Sequence, residues 1–124
     1  MRILLVDDDV DICQLTRKVL EKNGFEVDAF QDADLALRHA RGQKPNLILM
    51  DVMLPGASGP EIVQSMKKDP LLKEIPVVFL TGLVTGREKG LQAEGLAVGG
   101  VKYQTLGKPY EIEELLRVVR KFSQ

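Results

Sequence analysis

The chain has 124 residues, 44% hydrophobic and 28% charged, the size and make-up of one globular domain whose core needs no metal or disulfide. Seventeen basic against eighteen acidic side chains leave a net charge of −1, so no bulk charge draws it to nucleic acid or to a membrane. The lone cysteine, Cys13, allows no internal disulfide, no secretory signal opens the chain, and no apolar run nears the ~20 residues that span a bilayer; a cytoplasmic protein is expected.

Ile3-Leu4-Leu5-Val6 is a continuous apolar run that stops at Asp7-Asp8-Asp9, and its length and branched residues favour a strand buried on both faces. From Val10 the period becomes helical, with Ile12, Leu15, Val19 and Leu20 on one face. Asp8 or Asp9 caps this helix and Asn23-Gly24 closes it. Phe25 to Phe30 alternates apolar and polar, as an edge strand with one wet face should. Asp32 caps a second helix carrying Ala33, Leu35, Ala36, Leu37 and Ala40, ended by Gly42 and Pro45. Leu47-Ile48-Leu49-Met50 is a second buried run, delivering Asp51 to its end ahead of the turn signal Pro55-Gly56. Ser58-Gly59-Pro60-Glu61 opens a third helix, its proline in the first turn where the missing N–H costs nothing; Ile62, Val63 and Met66 face inward. Val77-Val78-Phe79-Leu80 is a third apolar run and ends in Thr81-Gly82.

Between Leu83 and Gly107 the pattern thins. Thr85 could cap a helix through Leu91 and Ala93, but Gly86, Gly90, Gly95, Gly99 and Gly100 each cost roughly 1 kcal/mol inside a helix. A fifth strand is predicted within Val101 to Leu106, punctuated by Lys108-Pro109. The final helix lines up Ile112, Leu115, Leu116, Val119 and Phe122, with acidic residues at its start and basic ones at its end, as the helix dipole favours. Strands alternating with helices predict one α/β domain over residues 1–124, a doubly wound parallel sheet with helices on both faces. Ligands of such sheets sit beyond the carboxyl ends of the strands.

Those ends bring a particular set of groups to one edge: Asp7, Asp8 and Asp9 from the first strand, Asp51 from the third, Thr81 from the fourth and Lys108 from the fifth. Singly, each has an ordinary explanation as a cap or a solvated charge. Jointly they make a chemical site, because unconnected caps have no reason to converge. Crowded carboxylates repel one another and call for a divalent cation. Oxygen-only ligands favour Mg²⁺ over zinc, and such an ion takes phosphate oxygens as further ligands. Thr81 can donate a hydrogen bond and Lys108 a positive charge to the same phosphoryl group, with a central carboxylate as nucleophile.

These segments, Ile3 to Asp9, Leu47 to Gly59, Val77 to Gly82 and Lys108-Pro109-Tyr110, together resemble the receiver domain of two-component response regulators, the CheY-like, flavodoxin-like class. The resemblance implies a five-stranded sheet in the order 2-1-3-4-5. It implies Asp51 as phosphoacceptor, Asp8 as direct Mg²⁺ ligand, Asp7 acting mainly through water, and Asp51 with the backbone carbonyl of Met53 completing the protein ligands. Thr81 and Lys108 would hold the phosphoryl group, and the Lys108–Pro109 bond resembles one usually cis. Implied partners are a histidine kinase or histidine phosphotransfer protein and an unknown downstream protein, with no direct nucleic acid or membrane contact. The domain would label itself with phosphate and lose it, without turnover, as a monomer or phosphorylation-linked dimer. With its end at Gln124 it would be a stand-alone receiver, with no output domain, if this is the whole protein.

Departures from the family pattern are expected to matter at the output face. Where the family carries an aromatic residue three before the lysine, this chain has Thr105; Tyr103 is the nearest upstream aromatic, and the 83–107 segment is long. Tyr103 or that segment would then report phosphorylation. Met53 and Leu83, at positions that tune phosphoryl lifetime in the family, are apolar and predict slow self-dephosphorylation. His39 reads as a surface residue and Cys13 as helix packing. One rival is an aspartate-nucleophile phosphohydrolase of the haloacid dehalogenase type, suggested by Asp7-x-Asp9. It lacks the expected threonine, because Asp11 stands there, and has no cap domain. Another is a degenerate receiver serving only as an interaction module.

Overall fold

In the computed structural model, which describes residues 1–81, 96–108 and 110–122, the three continuous apolar runs are the three inner strands of one sheet. With strands and helices numbered in chain order, these are β1 (Arg2–Val6), β3 (Leu47–Asp51) and β6 (Val77–Thr81), flanked by β2 (Glu26–Phe30) and β9 (Thr105–Gly107). The order is β2-β1-β3-β6-β9 and every pairing is parallel, which is the predicted 2-1-3-4-5 arrangement. Two short antiparallel pairs stand outside the sheet: β4 (Met53–Leu54) with β5 (Ala57–Ser58), and β7 (Leu96–Val98) with β8 (Val101–Tyr103).

Successive side chains of a strand point to opposite faces, so a strand covered on both sides must be apolar throughout. Leu4, Val6, Ile48 and Met50 enter one core with α2 (Ala33–Gln43) and α3 (Gly59–Lys67). Ile3, Leu5, Leu47 and Leu49 enter the other, with α1 (Val10–Lys22) and α4 (Ile112–Lys121). Asp9 caps α1 by accepting from the Ile12 amide at 3.2 Å, Asp32 caps α2 through Asp34 and Leu35, and Ser58 caps α3 through Glu61.

Three expectations need correction. The fifth strand takes only the end of the predicted Val101 to Leu106 window, at Thr105–Gly107. Val101–Tyr103 instead folds back on Leu96–Val98 through Gly99 (φ 56°) and Gly100 (φ 81°), and the chain rejoins the sheet only at Thr105. A two-residue hairpin loop of this hand needs positive φ at both central positions, which glycine supplies freely. The helix faces also shift: Leu15, Leu35 and Ile112 are at least half exposed. In α1 the inward positions are Cys13, Thr16 and Leu20, and a polar threonine there escapes a hydropathy pattern. Finally, α2 runs through Gly42 and closes at Lys44, whose left-handed backbone (φ 47°) ends it just before Pro45. The predicted helix starting at Thr85 lies outside the described residues, as do Gly82, Leu83 and Pro109.

Candidate active site

Chain connectivity reverses between β1 and β3, because β2 lies on one side of β1 and β3 on the other; the crevice at their carboxyl ends is where such folds bind ligands. Asp7 is the first residue past β1, tied there by its amide, which donates to the Phe30 carbonyl at 3.1 Å. Asp51 is the last residue of β3 and Thr81 the last of β6, while Lys108 follows β9 directly. The Lys108 amide donates to the Thr81 carbonyl at 2.6 Å, which fixes the lysine beside the crevice.

The side chains meet there. The Lys108 ammonium lies 2.8 Å from Asp7 Oδ2 and 3.1 Å from Asp51 Oδ2. Asp7 is wholly buried and Asp51 is 6% exposed, whereas Asp8 is open to solvent. The second oxygen of Asp7 accepts from the Asp9 amide at 3.0 Å, and that of Asp51 from the Met53 amide at 3.2 Å. Burial pushes the Asp51 carboxyl up, with the nearby Asp7 charge adding to it; the Lys108 and Met53 hydrogen bonds pull back, and the balance stays above the usual carboxylate range. Burial draws the Lys108 ammonium down, but its bonds to both carboxylates outweigh that and hold it above its usual value. The lysine is therefore firmly charged.

Carboxylate oxygens of Asp7, Asp8 and Asp51 lie within 4.8 Å of one another. A hard divalent cation suits that donor set, since all three groups offer oxygen and a single ammonium leaves their charge incompletely balanced. Both oxygens of Asp7 and both of Asp51 already accept hydrogen bonds, whereas exposed Asp8 accepts none among the described residues. Met53 stands two residues beyond Asp51, 67% exposed at the mouth of the crevice.

Two supports escaped sequence reasoning. Gly59 begins α3 against the end of β3: its amide donates to the Val52 carbonyl at 2.7 Å, and a Cβ on it would lie 2.6 Å from the Asp51 carbonyl oxygen. Only glycine lets helix and strand approach this closely, and a lone glycine in a sequence does not announce it. Tyr110, two residues after Lys108, hydrogen bonds through its hydroxyl to buried Thr16 of α1, anchoring the segment that carries the lysine. Cys13 is buried beneath, its thiol donating to the Asp7 carbonyl at 3.3 Å, and burial pushes its pKa up, as for a packing residue. His39 lies away from the site, paired with Asp28 at 3.0 Å. Tyr103 packs edge-on against Phe79, ring centroids 5.6 Å apart, while Thr105 takes its place in β9 beside Phe79.

The sequence matches the family described as response regulator receiver domain over residues 3–120. The chain belongs to that family. It is 37% identical over 119 residues to the phosphate regulon transcriptional regulatory protein PhoB of Escherichia coli, covering 96% of this chain and 50% of that one. It is 35% identical over 114 residues to the alkaline phosphatase synthesis transcriptional regulatory protein PhoP of Bacillus subtilis, covering 92% and 45%. The chain thus spans about half the length of these curated relatives. Among solved structures, the chemotaxis protein CheY4 of Vibrio cholerae superposes with a TM-score of 0.80 at 26% identity, covering 98% of this chain and 97% of that one. The receiver domain of a sensor histidine kinase from Pseudomonas aeruginosa, with a magnesium ion coordinated in its active site cleft, gives 0.78 at 26% identity, covering 98% and 95%. Phosphoryl acceptance is the general function of this family, and its acidic pocket binds Mg²⁺. Among the described residues, no helix is long and apolar enough to cross a membrane.

Proposed function

We propose that Asp51 is the phosphoacceptor, receiving its phosphoryl group from the phosphohistidine of a histidine kinase or histidine phosphotransfer protein. In that step a carboxylate oxygen of Asp51 forms a bond to phosphorus, the phosphorus–nitrogen bond breaks, and the electron pair returns to the imidazole. The observation that carries this reading is the Lys108 ammonium held between Asp7 and Asp51 at the switch point of the sheet. Lys108 offsets part of the effect of burial on Asp51 and stands where the incoming phosphoryl oxygens would need charge. Thr81, on the neighbouring strand end, offers them a hydroxyl. Asp8, Asp51 and the Met53 carbonyl would hold Mg²⁺, with Asp7 placed behind them. A bound cation would neutralise charge on the phosphoryl oxygens in transit.

The hydrolase alternative loses ground on Asp9, which would be its acid and is committed to capping α1. The domain accordingly labels itself once and signals through protein contacts, with no direct role on nucleic acid. Incubation with a small phosphomonoester and, separately, with acetyl phosphate separates the two readings. A receiver consumes acetyl phosphate in a Mg²⁺-dependent way and leaves the monoester untouched; steady release of phosphate from the monoester would refute it.

A further inference from the structure

The hairpin of β7 and β8 lies against α3, and between them runs a groove of about 320 Å³ that shares no lining residue with the Asp51 site. Its floor is apolar, formed by buried Val63 and Val98 with the ring of Tyr103, and Val101 beside it is 47% exposed. Its rim carries Lys67 and Lys68, both exposed at the end of α3. Among the described residues neither lysine has an ion-pair partner, and the Lys67 ammonium lies 5.3 Å over the Tyr103 ring. The Tyr103 hydroxyl is buried and, among the described residues, lacks a hydrogen-bond partner.

We propose that this groove docks a partner protein through an acidic, leucine-bearing peptide segment. An aliphatic side chain would cover Val63, Val98 and Tyr103, and flanking carboxylates would meet Lys67 and Lys68. Charge and surface together select this occupant. Two ammonium groups without an ion-pair partner among the described residues favour an anion, and a valine floor wants apolar cover, which a phosphate backbone would leave bare. The groove exists because the Gly99–Gly100 turn folds 96–103 into a hairpin beside α3 instead of running it straight into the sheet. The groove shares no lining residue with the Asp51 site, so failure of the docking test would leave the phosphoacceptor reading standing.

The test titrates the ¹⁵N-labelled full chain with a short peptide of alternating leucine and glutamate. A leucine–lysine peptide and a single-stranded oligonucleotide serve as comparison probes. The expected result is movement of the Gln64, Lys67, Val98, Val101 and Tyr103 amide signals with the acidic peptide alone. In the Lys67→Glu/Lys68→Glu variant, whose exposed substitutions leave the dispersed spectrum intact, Kd rises by roughly tenfold or more. The proposal is overturned if the acidic peptide does not bind, if the shifts map elsewhere, or if the variant binds equally well. Preference for the basic peptide or the oligonucleotide would overturn it too. So would concentration-dependent shifts at these residues without peptide, which would assign the groove to a second copy of the chain.

Discussion

The ammonium of Lys108 lies 2.8 Å from the fully buried carboxylate of Asp7, although 101 residues separate them in the chain. The contact ties the residue after β1 to the residue after β9 across the crevice, so the geometry of the site depends on this ion pair. Removing one partner of a buried pair leaves an uncompensated charge, at a cost of roughly 3–5 kcal/mol. Lys108→Ala should therefore be strongly destabilised in chemical denaturation with EDTA present. Added Mg²⁺ should stabilise this variant more than the wild type, because cation and lysine answer the same carboxylates. Equal stability of the two proteins in EDTA would contradict the pairing.

Asp51 is the opposite case. Its carboxyl is raised by burial, with Asp7 adding to it, beyond what Lys108 and the Met53 amide recover. A carboxyl raised in the folded state costs stability at any pH above its unfolded value, fully so above the folded one. Lys108 retains Asp7 when Asp51 is neutralised. Asp51→Asn should thus melt higher than the wild type at neutral pH without metal, with the gain shrinking as pH falls toward about 4. Thermal unfolding across that range reads it directly.

Gly59 sets how closely α3 meets the end of β3. A Cβ there would lie 2.6 Å from the Asp51 carbonyl oxygen and 3.0 Å from the Phe79 ring, neither of which can retreat cheaply. Gly59→Ala should lose about 1–3 kcal/mol by overpacking and slow acetyl phosphate labelling, because the strand end that presents Asp51 must move. The control Gly42→Ala, with nothing near its Cβ inside α2, should match or exceed the wild type in both.

Much of this was readable in advance, for physical reasons. A strand covered on both faces cannot hide its composition, so β1, β3 and β6 were visible as apolar runs, each ending at a polar residue. The parallel sheet rule then carried Asp7, Asp51, Thr81 and Lys108 to one edge. What stayed hidden depends on contacts between distant segments. Thr16 sits in the core because Tyr110 meets its hydroxyl, Gly59 matters because Asp51 is its neighbour, and the last strand begins late because Val98 and Val101 pair first. Periodicity within a segment holds none of that information.

At the far edge of the sheet, Asp28 joins Arg2 at 2.9 Å and His39 at 3.0 Å. Burial is the largest single influence on the Asp28 carboxyl and raises it, but the His39 and Arg2 hydrogen bonds and charges together outweigh it and hold the group below its usual value. A depressed carboxyl contributes stability above its unfolded pKa and loses it as pH falls through the folded value. Asp28→Asn should be less stable than the wild type at neutral pH. The difference should close below about pH 4, and a gap unchanged by acid would mean that the charge is not its source.

The central claim is that Asp51 receives the phosphoryl group, and intact mass after incubation with Mg²⁺ and acetyl phosphate tests it most directly. The account predicts a single phosphoryl adduct on the wild type, lost when EDTA replaces Mg²⁺ and missing from Asp51→Asn. No adduct on the wild type, or an equal adduct on Asp51→Asn, would contradict it.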